Sequence, residues 1–349
     1  MRDQVNEVIN FFTGDTSCSG ITPASRHLLN VNLESPKLDP ARRENFHSTT
    51  AKLLYLEKRA RPDLELAVSF LTTRVSDPTE QDWNKLCRVM SFLENTKDEV
   101  RVIGCDTLES IYTWIDAAYA VHDNMRSHTG GLMSMGWGAL EAKSTKQKLN
   151  TKSSTESELV GMSDYLPYNI WWLNFLTAQG YTIINNTIFQ DNQSAIKMET
   201  NGRNSCTGNS RHISIRYFFV KDRVDKGEVK ISYCPTELML ADYYTKPLQG
   251  SLFKKFWKVI MGHEHISTLI PKYKQCGNKE RVETGVKSVF PNCEQSNKMK
   301  INKKVTFNVP EYTYADAVRK GGVDIKDTND ENKMNIQIEQ TKINKQTYT

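Results

Sequence analysis

Four acidic residues stand where carboxylate chemistry could be assembled from distant parts of the chain. Asp116 closes the apolar run IYTWID, and Glu158 lies in the opening turn of a half-apolar stretch, SSTESELVGMSDYL (153 to 166). Asp191 follows NNTIFQ, and Asp242 falls within ELMLADYYTKPL. Acids at strand ends and helix starts on one side of a sheet converge in space. Clustered carboxylates repel one another and become tolerable when cations neutralise them. Hard oxygen ligands with open positions suit magnesium, which also holds phosphate oxygens well. Two such ions about 4 Å apart can clamp the attacking water and the leaving oxygen of a phosphodiester.

Each acid also has a structural alternative. Asp116 could simply end a strand, Asp191 could cap a helix beginning at Asn192, and Asp242 could pair with Lys246 one turn later. In the stretch from Ser153, both Ser153 with Glu156 and Thr155 with Glu158 fit a capping box, in which each side chain satisfies a backbone amide of the other residue. The residues alone leave open which glutamate caps and which binds.

The elements that must position these acids follow from periodicity. IYTWID (111 to 116), GLMSMGWGAL (131 to 140) and the basic EAKSTKQKL (141 to 149) read as strands. From Thr155 to about Gln179, Leu159, Met162, Leu166, Ile170 and Leu173 make the buried stripe of a long helix that Pro167 should kink. NNTIFQ (185 to 190) predicts a strand, NQSAIKMETN a short helix, HISIRYFFVKDRVDKG a longer one, EVKISYC a strand and ELMLADYYTKPL a last helix. The order implies an α/β fold, a mixed sheet flanked by helices.

Upstream, residues 1 to 40 carry scattered turn formers and read as an irregular lead-in. Residues 41 to 100 hold three helical stripes: Phe46, Leu53, Leu54 and Leu56; then Leu64, Ala67, Val68, Leu71 and Val75; then Trp83, Leu86, Met90 and Leu93. A period near 3.6 is what burial against neighbouring helices requires. Residues 101 to 266 contain the acids. From 267 to 349 the composition turns to Lys, Asn, Gln, Thr and Glu, and this predicts a disordered tail, with VPEYTYADAV (309 to 318) as its one candidate docking motif.

The 349 residues suffice for two domains without disulfides, and 46 Lys plus Arg against 41 Asp plus Glu permit a nucleic-acid partner without demanding one. Seven scattered cysteines, none in a C-x-x-C, indicate neither a disulfide framework nor zinc and fit a reducing compartment. No apolar run approaches the roughly 18 residues of a membrane span, and the polar start MRDQVNEVIN lacks a signal-peptide core. The expectation is an intracellular protein, cytoplasmic or nuclear, with no membrane partner.

The stretch KSTKQKLNTKSSTESELVGMSDYL, followed by QDNQSAI, SRHISIRYFFVKDRV and LADYYTKPL, resembles the ribonuclease H region of copia-type retrotransposon polyproteins. Upstream, KLLYLEKRARPDLELAVSFLTTRVSDPTEQDW resembles the thumb and connection segment that joins polymerase to nuclease in those polyproteins. The resemblance runs from about Pro23 to His265. It implies a ribonuclease H-like fold with a five-stranded mixed sheet, metal ligands at Asp116, Glu158, Asp191 and Asp242, and Glu156 as the cap. It further implies two Mg2+ ions, with Mn2+ as a substitute, and cleavage of the RNA strand of an RNA–DNA hybrid.

By the same resemblance Ser154, Thr155 and Gln193 would contact the hybrid in its minor groove, where 2′-hydroxyls mark the RNA strand. Lys143, Lys146, Lys148 and Lys152 could track phosphates or form a solvated strand face. Arg211 and His212 sit in a family motif, with His212 at a helix start where a structural role also fits. Trp171 and Trp172 read as helix packing. No Y-x-D-D and no adjacent aspartate pair occurs, so DNA synthesis by this chain alone is not expected, and the loop CPTELML lacks the histidine that many ribonucleases of this fold place before the last helix. Other retroelement polyprotein products are expected partners. A catalytically inactive relic that at most binds nucleic acid, and an adaptor working through the tail, stay open as alternatives.

Overall fold

A computed structural model describes residues 1–17, 20–201 and 211–269, and the side chains of 201 and 211–215 lie outside the described part. One compact unit covers Met1–Gln275; the second, Cys276–Thr349, lies outside the described residues, as do the expected disorder beyond Leu269 and the stretch 309 to 318.

The sheet is built from β2 (Ser110–Ala118), β3 (His128–Ser134), β5 (Glu141–Lys146), β6 (Asn185–Gln190) and β7 (Lys230–Tyr233), in the spatial order β5-β3-β2-β6-β7. β3 runs antiparallel to both β2 and β5, while β6 is parallel to β2 and β7 parallel to β6. Two short strands, β1 (Gly104–Cys105) and β4 (Gly136–Trp137), pair with each other outside this sheet. The expected mixed five-stranded sheet is present.

Alternation along β2 decides which layer each residue meets. Ile111 and Ile115 pack with the long helix α5 (Ser154–Ala178), in clusters that also hold Met162, Tyr165, Leu166 and Leu176. Trp114, on the opposite face, joins a larger core with Leu132, Phe189, Tyr244 and Phe256. That core extends into the upstream helices α2 (Pro40–Arg59), α3 (Glu65–Thr72) and α4 (Glu80–Asn95) through Phe46, Leu53, Leu71, Leu86 and Leu93. The helical segment therefore covers one face of the sheet, and α5 covers the other with α6 (Gln193–Asn201) and α7 (Arg211–Asp225) beside it.

Local signals account for the helix starts. Asp39 accepts from the amides of Ala41 and Arg42 with Pro40 in the first turn, and Thr79 and Asp82 form a capping box. Ser153 accepts from the Glu156 amide at 3.2 Å and starts α5, which continues past Pro167.

Several expectations are corrected. The lead-in is not wholly irregular: Arg2–Phe11 forms a helix, α1, whose Val5 and Val8 are buried. Leu54 faces solvent rather than the core. ELMLADYYTKPL does not form one helix but two short 3-10 turns, Thr236–Leu238 and Leu240–Tyr244, and the last α-helix is α8 (Gly250–Ile260). Packed structure also runs past residue 266, since Leu269 is fully buried. Among the described residues, no helix is long and apolar enough to cross a membrane.

Candidate metal centre at the strand ends

The sheet register brings two of the acids level. β2 and β6 are parallel and their last pair is Trp114 with Phe189, so Asp116 and Asp191 each stand two residues beyond it on neighbouring strands. Neighbouring strands lie about 4.8 Å apart, which makes two carboxylates at this level immediate neighbours. The first turn of α5 adds Glu158. One carboxylate oxygen from each of Asp116, Glu158 and Asp191 lies within 4.8 Å of the other two.

The close approach depends on a glycine. Gly130 pairs with Asp116 in the register, and a Cβ there would sit 2.6 Å from Thr245 Cγ2, 2.9 Å from the Ala241 carbonyl oxygen and 2.9 Å from Tyr244 Cβ. Its bare backbone lets the 3-10 segment descend onto Asp116, where the Thr245 hydroxyl donates to Asp116 Oδ2.

The two opening glutamates separate cleanly. Glu156 accepts from the Lys152 amide at 2.7 Å and stays at the helix start, while Glu158 is buried and accepts from the Gln190 side-chain amide at 3.3 Å. Gln190 works in two directions, because its Oε1 also accepts from the amides of Asp191 and Asn192 at 2.9 and 3.2 Å. Asn192, not Asp191, caps α6 through bonds from Ser194 and Ala195. The Asp191 carboxylate is thereby left for the cluster, with one bond from the Thr236 hydroxyl at 3.3 Å.

Asp242 behaves differently. Its Oδ1 accepts from Lys246 Nζ at 2.7 Å, and the same ammonium lies 3.6 Å from Asp116 Oδ2. The pairing weighed as its structural alternative is thus present, and Asp242 does not line the cavity that the other three share.

Electrostatics mark the cluster as short of positive charge. Burial first, and then the charges of Asp116 and Asp191, raise Glu158 well above the ordinary carboxylate range. Burial and then Asp116 raise Asp191 as well, and burial followed by Asp116 pushes Asp242 up to about 7. Lys246 is pulled the other way by burial, but Asp116 and Asp242 outweigh that and raise it. Oxygen donors this close, with protons held against their ordinary tendency, fit a hard divalent cation such as magnesium. A cavity of about 780 Å³ opens over them, lined also by Ser154, Asn192, Lys246, Arg26 and Asn30.

Not all expected contact residues gather there. Ser154 lines the cavity; Thr155 and Gln193 lie in the first turns of α5 and α6 without lining it. Lys143 stands over the Tyr168 ring at 4.8 Å, Lys146 lies 3.5 Å from Asp123, and Lys148 and Lys152 are exposed, so none of the four joins the lining. Arg211 and His212 begin α7, and their side chains lie outside the described part. Trp172 is partly buried beside the Leu176 cluster, but Trp171 is 56% exposed and stacks on Phe175, which corrects its reading as packing.

Sequence reasoning assigned no role in the site to Gln190, Thr236, Thr245, Arg26 or Asn30, and gave Lys246 only a pairing role. Gln190, Thr245 and Lys246 lie inside motifs that were already recognisable, whereas nothing in the pattern marks Arg26.

These features define an α/β domain with a trio of acidic oxygens at the ends of adjacent parallel strands and a helix start. No family model matches the chain, and no solved structure matches it. It is 26% identical over 221 residues to the Retrovirus-related Pol polyprotein from transposon TNT 1-94 of Nicotiana tabacum, covering 63% of this chain and 16% of that protein. It is 30% identical over 202 residues to the corresponding polyprotein from transposon RE2 of Arabidopsis thaliana, covering 57% of this chain and 14% of the relative. A stretch of 127 residues is 30% identical to Secreted RxLR effector protein 161 of Plasmopara viticola, covering 36% of this chain and 89% of that protein. The chain's homologues are thus retrovirus-related Pol polyproteins of copia-type transposons, matched over 57–63% of its length. Its matched region spans about a sixth or less of the length of the two polyproteins.

Proposed function

We propose that this chain is a retrotransposon ribonuclease of the ribonuclease H type, hydrolysing the RNA strand of an RNA–DNA hybrid in an intracellular setting. The observation that carries the reading is the meeting of Asp116, Glu158 and Asp191 within 4.8 Å at the floor of an open cavity. The five-stranded mixed sheet with helices on both faces supports it.

Asp116, Glu158 and Asp191 would hold Mg2+, or Mn2+ in its place. When bound, the ion supplies neutralisation of phosphate charge and a lowered water pKa. The chain's own groups do the rest. Gln190 orients Glu158 and the turn carrying Asp191, Thr245 fixes Asp116, and Thr236 steadies Asp191. Ser154, on the cavity wall, is placed to meet a sugar 2′-hydroxyl. A second ion would need Asp242, which must first leave Lys246.

That lysine favours a second reading. An ammonium 2.7 Å from Asp242 and 3.6 Å from Asp116 already neutralises part of the site, as suits a protein that binds nucleic acid without cutting it. One assay separates the two. The purified chain is incubated with labelled hybrid and magnesium beside Asp191→Asn. Cleavage by the parent alone, with 5′-phosphate and 3′-hydroxyl ends, upholds the ribonuclease; equal inertness with intact hybrid binding upholds the binder.

A further inference from the structure

The upstream segment contributes to the cavity as well as to the core. Arg26, Leu29 and Asn30 line the same space as Asp116, Glu158 and Asp191, although they lie 86 positions or more before them in the chain. Relying on the reading above for the choice of substrate, we propose that Arg26 is a phosphate-binding residue, gripping the backbone of the nucleic-acid strand across the mouth of the acidic cavity.

Three observations support this. First, among the described residues Arg26 is exposed and has neither hydrogen bond nor ion pair. Most other arginines of the unit are engaged: Arg42 with Glu80, Arg61 with Asp63, Arg74 with Asp82, Arg216 with Asp164 and Arg223 with Glu228. Secondly, the segment that carries it is fastened on both sides. Arg88 donates to the Thr22 carbonyl at 3.1 Å and to its hydroxyl at 2.8 Å, Gln249 donates to the Ala24 carbonyl at 2.8 Å, and Leu28 is buried. Beyond Arg26, Lys85 donates to the Asn30 carbonyl at 2.6 Å and the Asn32 amide to Gln81 at 2.8 Å.

Thirdly, the charge balance of the cavity calls for it. Its floor is acidic, and its other lining cation, Lys246, is paired with Asp242. A polyanionic strand approaching three carboxylates needs a cation at the rim, and a guanidinium offers a planar fork matching two phosphate oxygens. Gln249 ties this to the site itself, since it lies three residues after Lys246 and holds Ala24 two residues before Arg26.

The test compares the full chain with Arg26→Ala, Arg26→Lys and a control, Lys254→Ala, an exposed cation on α8 outside the cavity. Binding is read by fluorescence anisotropy in magnesium on a hybrid whose RNA strand is 2′-O-methylated, so that affinity is measured without cleavage. Losing one phosphate contact should weaken Kd roughly tenfold for Arg26→Ala and lower the slope of log affinity against log salt by about 0.9. Arg26→Lys should restore the slope but only part of the affinity, and the control should match the parent.

Unchanged affinity and slope in Arg26→Ala, or an equal change in the control, would overturn the assignment and leave the ribonuclease reading standing. Arg26-dependent binding without cleavage of an unmodified hybrid would instead uphold Arg26 and remove the ribonuclease. A parent that binds no nucleic acid removes both.

Discussion

Gly130→Ala puts the architecture of the site to a direct test. Gly130 has no positive φ, so alanine incurs no backbone strain there, and by itself the change should stabilise by about 0.4–1 kcal/mol through the unfolded chain. The surroundings reverse the sign. The new Cβ would meet Thr245 Cγ2 at 2.6 Å, roughly 0.8 Å inside ordinary contact, and would meet Ala241 O and Tyr244 Cβ at 2.9 Å. Two of these three atoms belong to backbone or a Cβ and cannot turn aside, so the 3-10 segment must lift. Overpacking of this kind costs about 1–3 kcal/mol, and a net loss of ~2 kcal/mol corresponds to a fall in Tm of roughly 4–8 °C.

The lifted segment carries both the Thr245 bond to Asp116 and the Lys246 bond to Asp242, so hybrid cleavage should fall further than the folded fraction does. Thermal unfolding and a cleavage assay at a temperature where the variant is folded measure the two effects. Gly180→Ala, at a position with φ +89° and open space around it, isolates backbone strain alone and should leave cleavage intact. An unaltered Tm with full activity in Gly130→Ala would refute the claim that this close approach builds the site.

Other expectations follow from buried polar groups. Burial and neighbouring carboxylates raise Glu158, Asp191 and Asp242, so the folded protein keeps protons that the unfolded chain releases. In EDTA, the stability that these three groups contribute should be fully present below about pH 4 and be lost as the pH climbs through 7, while the rise in Tm on adding magnesium should grow from pH 5 to pH 8; a magnesium shift that ignores pH contradicts this. Glu199 is fully buried with neither carboxylate oxygen hydrogen-bonded among the described residues, and burial pushes it up to about 8. Glu199→Met should raise Tm, and more at pH 8 than at pH 5, as differential scanning calorimetry would show. Asn169 is buried and donates to Thr113 at 2.9 Å and to Asn186 at 2.8 Å, so Asn169→Leu should lose about 3 kcal/mol in urea unfolding by stranding both partners.

The elements were legible where one face of a strand or helix is buried and the other is not. NNTIFQ coincides with β6, and of the stripe Leu159, Met162 and Leu166, all buried, the last two pack with Ile115 and Ile188 of the sheet and Leu159 packs with Tyr217. Legibility failed where tertiary contacts overrode local pattern. ELMLADYYTKPL has helical spacing, yet Leu240, Ala241, Asp242, Tyr243 and Tyr244 are all buried, which demands contact on every side and is met by tight 3-10 turns pressed against Gly130. The helix at Arg2–Phe11 was hidden for a related reason: only Val5 and Val8 are buried, too few to mark a stripe.

By itself the sequence determined the order of the five sheet strands and of the helices between them, the resemblance to retrotransposon polyproteins, and which acids occupy strand ends and helix starts, because those properties depend on residue types a few positions apart. Only the tertiary structure decided that Asp116, Glu158 and Asp191 share one centre while Lys246 takes Asp242, and that Arg26 reaches the same cavity. Such outcomes rest on register between neighbouring strands, on the space left by one missing side chain and on competition between nearby charges, none of which is encoded in local spacing.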